Sequence, residues 1–480
     1  MRRPVVLLSL AVLAALAVLV AVREEEQPPP TPTPAAMAPT PAAAPPEETP
    51  APEDSLLPDQ VDSLTGSEAS SGSSARSGSA PAIAEANAGN GVKDEQPAVP
   101  VYDSQGKPEE LPQAQDKGEV ILAATAHPEN TLLLGEVGSL TGAQATFGVS
   151  TRNGIELAIK EANTAGGVKG KKLAVRVYDD QGKPEEAAQA VTRLITQDKV
   201  VLILGEVASS NSLAMAEKAQ AAGVPMITPS STNPSVTQKG EYIFRVCFID
   251  PFQGFVMAKF ARENLKANQV ATLQDNKSAY STGLTDVFTQ KFAEMGGKIV
   301  TTQSYSQGDT DFRAQLTVIK KMKPQAIYVP GYYNDVGVIA RQARELGLTV
   351  PLMGGDGWDS EKLFELAGNA LDGSYFSNHY SPENPDEKVQ KFIKDYKAAY
   401  GGVPDALAAL GYDAAKVAIA ALERSKDLSG PSVREAIAQT QDFPGVAGNI
   451  TLDNNRNAVK PAAILKIANG KTRFVTTINP

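Results

Sequence analysis

Two periodicities alternate along most of the chain. Short apolar runs are followed by stretches whose apolar residues recur at three- and four-residue spacing, a strand pattern and then a helix pattern. Leu132-Leu133-Leu134 predicts a strand. Ile155, Ala158, Ile159 and Ala162 follow at helical spacing, and the helix stops at Gly166-Gly167. Strands are predicted next at 173–178, 200–204 and 225–228, with helices starting at Pro184 and spanning 212–222. Pro184 suits a first helical position, where its missing N–H is harmless. The alternation resumes with helices at about 251–265, 281–295 and 311–322 and strands at 269–273, 298–303 and 325–329. Repeated βα units imply parallel sheets covered by helices, and two such runs imply two doubly wound lobes.

The first part of the chain lacks this alternation. Arg2 and Arg3 precede an apolar run, Val5 to Val22, closed by Arg23 and three glutamates. The run is just long enough to cross a bilayer. It reads as a signal anchor, or as a signal peptide cleaved after Ala15-Leu16-Ala17. Either reading places the rest of the chain outside the cytoplasm. Residues 24–130 form a linker rich in Pro, Ala and Ser, expected to be disordered because it holds too little apolar surface to offset its ordering entropy. Within it, Val101 to Glu110 repeats Val177 to Glu186 with one change, Ser104 for Asp180. Pro112 would break the helix that follows the second copy, so the first reads as a relic of partial duplication rather than an edge strand or lid.

Composition sharpens this division. Residues 1–130 hold 7 Lys+Arg against 19 Asp+Glu, whereas 131–480 hold 38 against 36. The overall charge of −10 therefore belongs to the linker, and the near-neutral remainder offers no electrostatic reason to bind nucleic acid. One cysteine, Cys247, excludes a disulfide framework and a multi-Cys metal site. Two histidines, His127 and His379, leave no room for a His-rich zinc site, and no nucleophile-elbow or phosphate-loop motif occurs. An enzyme is disfavoured; neither cofactor nor metal is expected.

Ligands of doubly wound sheets bind beyond the carboxyl ends of the strands. The loops there share small hydroxyl residues, aromatics and an acid: Phe147; Ala208-Ser209-Ser210; Ser230-Ser231-Thr232; Tyr332-Tyr333; and Asp356-Gly357-Trp358. Helix N-termini with Ser and Thr hydroxyls suit a carboxylate, and Asp356 suits a cation. Together they fit the zwitterionic head of an α-amino acid. Each also has a plainer reading: Ser209, Ser210 and Thr232 as N-caps, Asp356-Gly357 as a turn, Tyr332 and Phe147 as core aromatics.

Gly138-Ser139-Leu140-Thr141-Gly142, Gly166-Gly167-Val168-Lys169-Gly170, Tyr178-Asp179-Asp180, Pro229 to Pro234, Phe244-Arg245, Gly331-Tyr332-Tyr333 and Gly411-Tyr412-Asp413-Ala414 occur in that order over 350 residues. In this the chain resembles the ABC-importer substrate-binding proteins for branched-chain amino acids, with a periplasmic-binding-protein type I fold. The resemblance implies two lobes joined by three crossovers, lobe 1 about 131–249 and 380–450, lobe 2 about 250–379 and 451–480. It implies an apolar α-amino acid as ligand, an ABC permease as partner, a monomer, and a periplasmic or extracytoplasmic location. A ligand-sensing receptor of the same fold, or a binder of amides or other small carboxylates, is the alternative. By the same resemblance Ser209 receives the ligand carboxylate, with Ala208 beside it. Ser230 and Thr232 share that task, Asp356 pairs with the ammonium, and Tyr332 stands near it. Phe147, Tyr280 and Tyr412 line the cleft, and Trp358 narrows or caps the pocket.

Overall fold

The computed structural model describes residues 60–62, 101–103 and 130–480. The apolar run at 5–22 and most of the linker and repeat lie outside the described residues. Of the repeat, Val101–Asp103 (β2) pairs in parallel with Gln60–Asp62 (β1).

From Thr131 the elements alternate. Strand β3 (Thr131–Gly138) leads to α1 (Ala145–Thr164), β4 (Lys172–Asp179) to α2 (Pro184–Thr196), and β5 (Ile203–Leu204) to α3 (Ser209–Ala222). Strands β6 (Met226–Thr228) and β7 (Ile243–Arg245) complete a parallel sheet in the order β4-β3-β5-β6-β7. The chain then crosses to a second lobe. There α4 (Asp250–Glu263), β8 (Gln269–Asp275), α5 (Ala279–Glu294), β9 (Lys298–Tyr305), α6 (Arg313–Lys321), β10 (Ala326–Tyr328), α7 (Tyr333–Glu345), β11 (Leu352–Gly354), α8 (Glu361–Ala367) and β12 (Tyr375–Asn378) follow. It returns to the first lobe for α9 (Glu387–Tyr400), α10 (Ala406–Arg424), α11 (Gly430–Ala438) and the small antiparallel pair β13 (Thr451–Leu452) and β14 (Ala458–Val459). A last crossing delivers β15 (Ala462–Ala468) and β16 (Lys471–Ile478), which extend the second sheet antiparallel to its edge, in the order β16-β15-β12-β11-β10-β8-β9.

The third crossing therefore falls at Lys460-Pro461, about ten residues later than the sequence suggested. Leu452 and Ala458 are buried in the first lobe's core and hold β13 and β14 there. The strand expected at 200–204 shrinks to Ile203–Leu204, and the helix expected at 212–222 begins earlier, at Ser209. This helix starts without a capping side chain: Ala208 is its N-cap, and Ser209 and Ser210 are already helical, so neither is the cap.

Close backbone contact organises the first lobe. A Cβ at Gly154 of α1 would lie 2.0 Å from the Ala408 carbonyl, and one at Gly411 of α10 would lie 2.3 Å from the Thr151 carbonyl. Only glycine lets these two helices approach so closely. Their contact fixes α1, and with it Phe147, at the mouth between the lobes.

The lobes are closed on one another. Asn233 Nδ2 donates to the Ala279 carbonyl at 2.7 Å, and the Ala279 N–H donates to Ser210 Oγ at 3.1 Å. Tyr333 donates to the Ala143 carbonyl at 2.8 Å, and the Ala406 N–H to Asp359 Oδ2 at 2.7 Å. All of these come from loops at the carboxyl ends of strands or from helix starts facing the cleft.

Candidate ligand-binding site between the lobes

The cleft closes around a cavity of about 20 Å³ lined by Phe147, Val207, Ser209, Ser230, Tyr280, Tyr332, Asp356, Gly357 and Leu407. Six of the ten sequence-predicted site residues thus meet at one place: Phe147, Ser209, Ser230, Tyr280, Tyr332 and Asp356. The space holds little more than one water, so a larger ligand enters only when the lobes move apart.

The first lobe supplies donors. Ser209 begins α3, where backbone N–H groups are free of intrahelical partners. Its hydroxyl accepts the Asn233 N–H at 3.3 Å, which keeps the loop after β6 against the helix start. The hydroxyls of Ser230 and Thr232 are buried; that of Thr232 faces the Asp250 carboxyl, and that of Ser230 has no hydrogen-bond partner. Buried Arg245 holds this loop from below. Its guanidinium donates to the carbonyls of Ser231 and, at 2.8 Å, Asn233, and to Thr237 Oγ1 at 3.2 Å. The Phe244-Arg245 motif therefore organises the site from behind.

The second lobe supplies an acid. Asp356 opens a 3₁₀ turn after β11. Its Oδ1 accepts from Gln253 Nε2 at 2.8 Å and from the Tyr280 hydroxyl at 3.0 Å, and its Oδ2 lies 2.9 Å from His379 Nε2. The Tyr280 ring stacks on Tyr332 at 5.2 Å, and Phe147 meets Tyr332 edge-on at 5.7 Å. Burial, reinforced by the Asp356 charge, raises the Tyr280 pKa, so this phenol stays a donor. The arrangement has hydroxyls and a helix start on one wall, a carboxylate on the other, and apolar Phe147, Val207 and Leu407 between them. It can hold a small zwitterion, whereas Asp356 would repel a second anion.

Two expectations for the site are corrected. Tyr412 lies on the outer flank of the first lobe, where its hydroxyl donates to Glu161 Oε2 at 2.7 Å and its ring packs on Phe392. Its helical position turns it toward α1 rather than the cleft. Trp358 is buried in the second lobe's core, its indole N–H bonded to the Val329 carbonyl at 3.0 Å. A Cβ at Gly354 would sit 2.0 Å from this ring. Trp358 thus anchors the turn that carries Asp356 and does not cap the pocket. Ala208 and Thr232 adjoin the cavity without lining it; the Ala208 N–H donates to Glu206.

Several buried groups around the site were not anticipated. Glu206 is fully buried, and burial raises its pKa well above the usual carboxylate range, with the Asp180 charge adding to the shift. The Ser139 hydroxyl lies 2.8 Å from Asp180 Oδ1 and 3.1 Å from Glu206 Oε1. One hydroxyl proton serves one acid, and a protonated Glu206 supplies the other bond. Asp250 is fully buried beside the Thr232 hydroxyl, and burial, with the charge of Asp356 adding to it, pushes its pKa up to about 8. Gln253 and His379 complete the Asp356 cluster. Among the described residues no group of three His, Cys, Asp or Glu side chains is placed to hold a metal ion.

Two doubly wound lobes, three crossings and a closed polar cavity in the cleft are the architecture of a hinged binding protein. Residues 131–472 match the periplasmic binding protein family model, and the chain belongs to that family, among the substrate-binding proteins of branched-chain amino-acid ABC transporters. It is 30% identical over 332 residues to the Leu/Ile/Val-binding protein BraC3 of Rhizobium johnstonii, covering 68% of this chain and 89% of that one. The structure resembles the leucine binding protein LivK of Thermotoga maritima, with a TM-score of 0.70 and 41% identity, over 73% of this chain and 99% of the other. It also resembles LivJ of Streptococcus pneumoniae in complex with isoleucine, with a TM-score of 0.70 and 34% identity, over 73% and 100%. Members of this family are binding proteins rather than enzymes.

Proposed function

We propose that this chain captures an α-amino acid with an apolar side chain between its lobes and delivers it to an ABC permease. The observation that carries this reading is the pairing across one cavity of Ser209 and Ser230 with a carboxylate, Asp356, held by three side-chain donors. The helix start and hydroxyls take the ligand carboxylate, Asp356 takes the ammonium, and Phe147, Val207 and Leu407 take the side chain. The isoleucine complex of LivJ supports the same class of ligand. A benzoate-like or amide ligand would leave Asp356 buried without a cationic partner, which is costly.

A thermal-shift screen of the full chain against the common amino acids tests the reading. Binding stabilises the folded state by about 2.7 kcal/mol at one hundred times the dissociation constant. Apolar amino acids should raise the melting temperature; if none does, the zwitterion reading fails.

The receptor works outside the cytoplasm, tethered by residues 5–22 through the linker of residues 24–130, and acts as a monomer. Among the described residues no helix is long and apolar enough to cross a membrane. The tether rests on the sequence pattern of residues 5–22. Mass spectrometry of the exported protein should find residues 1–22 attached, and a mature N-terminus near Val18 would show a cleaved signal instead.

A further inference from the structure

The three donors on Asp356 are not equivalent. Gln253 and Tyr280 both reach Oδ1, at 2.8 and 3.0 Å, and only His379 reaches Oδ2, at 2.9 Å. Two donors on one oxygen leave the carboxylate free to turn about that oxygen. A donor on the other oxygen fixes its plane.

His379 also stands where the crossings meet. Its backbone opens the second crossing, directly after β12. Its ring stacks on Phe248 of the first crossing, with centroids 3.6 Å apart and planes 24° from parallel. With Pro461 of the third crossing it lines a cavity of about 270 Å³. The imidazole is buried, and its Nδ1 has no hydrogen-bond partner. With Asp356 as acceptor, Nε2 carries the proton and Nδ1 is a bare lone pair. An unpaired buried nitrogen costs stability, so packing alone gives no reason for a histidine here.

We propose that His379 is a positioning residue: it fixes the plane of the Asp356 carboxylate for the ligand's ammonium and ties that orientation to the hinge. The inference rests on the reading of Asp356 as the ammonium's partner. Movement of the crossings shifts the Phe248–His379 stack, and the bond to Oδ2 transmits that shift to the acid. In the closed lobes the carboxylate is then pinned at both oxygens.

Calorimetry with L-leucine on the full chain tests this. His379→Phe keeps the stack and removes the donor; binding should weaken about 10- to 100-fold, the usual weight of a hydrogen bond to a charged group. His379→Gln places an amide nitrogen near the position of Nε2 and should recover most of that loss, whereas His379→Asn, whose nitrogen falls nearer Nδ1, should not. In an Asp356→Asn background, His379→Phe should cost much less than in the wild-type chain, because the two residues act as a unit. Equal affinities for the Gln and Asn variants, or fully additive losses in the cycle, would overturn the positioning role and leave the amino-acid reading standing. If the Phe variant fails to fold by circular dichroism, the Gln–Asn comparison decides. If neither L-leucine nor another apolar amino acid binds the wild-type chain, the amino-acid reading fails, and the inference with it.

Discussion

Replacing Asp356 by alanine is expected to weaken amino-acid binding by about 30- to 5,000-fold, the effect of removing one partner from a desolvated charge pair worth roughly 2–5 kcal/mol. The loss has two sources. The ammonium would be left buried without a counter-charge, and the donors Gln253 Nε2, Tyr280 OH and His379 Nε2 would lose their common acceptor. Only the first depends on the ligand. Asp356→Asn separates them, because it keeps an acceptor oxygen while removing the charge. It should fold with nearly wild-type stability and still bind weakly by calorimetry. Unchanged affinity in both variants would mean that Asp356 serves the fold of the second lobe alone. Asp356→Glu should retain part of the affinity, since the charge remains but its longer arm disturbs the contacts to both oxygens.

The alternation of periods was enough to read two doubly wound lobes, because a parallel strand and the helix covering it each leave their own spacing in the chain. The site was legible to the extent that it lies on loops after strands. Ser209, Ser230, Tyr332 and Asp356 all follow a strand, and the cavity gathers them. Residues that reach the site from elsewhere left no such trace. Gln253 and Asp250 come from the first turn of α4, and His379 comes from the second crossing. Their proximity to Asp356 is set by how the crossings fold back, which no local spacing encodes. Tyr412 fails for the complementary reason. Helical period tells that it shares a face with Ala408, but not that this face meets Glu161 of α1. The third crossing was misplaced because β13 and β14 are too short to show a period, and only tertiary burial of Leu452 and Ala458 keeps them in the first lobe.

The unliganded protein should become less stable as pH rises from about 5 to 8. Burial pushes the pKa of Glu136 up to about 8 and that of Asp250 up to about 8. Asp335 and Asp405 are pushed to about 7, again chiefly by burial. A carboxyl with a raised folded-state pKa keeps its proton where the unfolded chain has lost it. Between its unfolded and folded values the native state therefore binds more protons, and stability falls with rising pH by about 1.4 kcal/mol per unit for each such group. Glu136 and Asp250 act over most of the range from pH 4 to 8, and Asp335 and Asp405 over its lower part. One buried group opposes them: burial lowers the His379 pKa, so the unfolded chain gains a proton below about 6.5 that the native state does not. A single opposing group does not reverse the trend. Lys460, lowered to about 8, takes no part below that pH and favours the native state only above it. Urea midpoints at pH 5, 6.5 and 8 and constant ionic strength should therefore fall in that order. Glu136→Gln isolates the largest contributor outside the cleft, because both Glu136 oxygens are buried without a partner and the amide removes only the ionisation. That variant should gain stability over the wild type at pH 8, gain little at pH 5, and show a shallower slope between them. A flat wild-type profile, or one that rises with pH, would mean that these carboxyls ionise in place and that the interior around them is far better solvated than their burial implies.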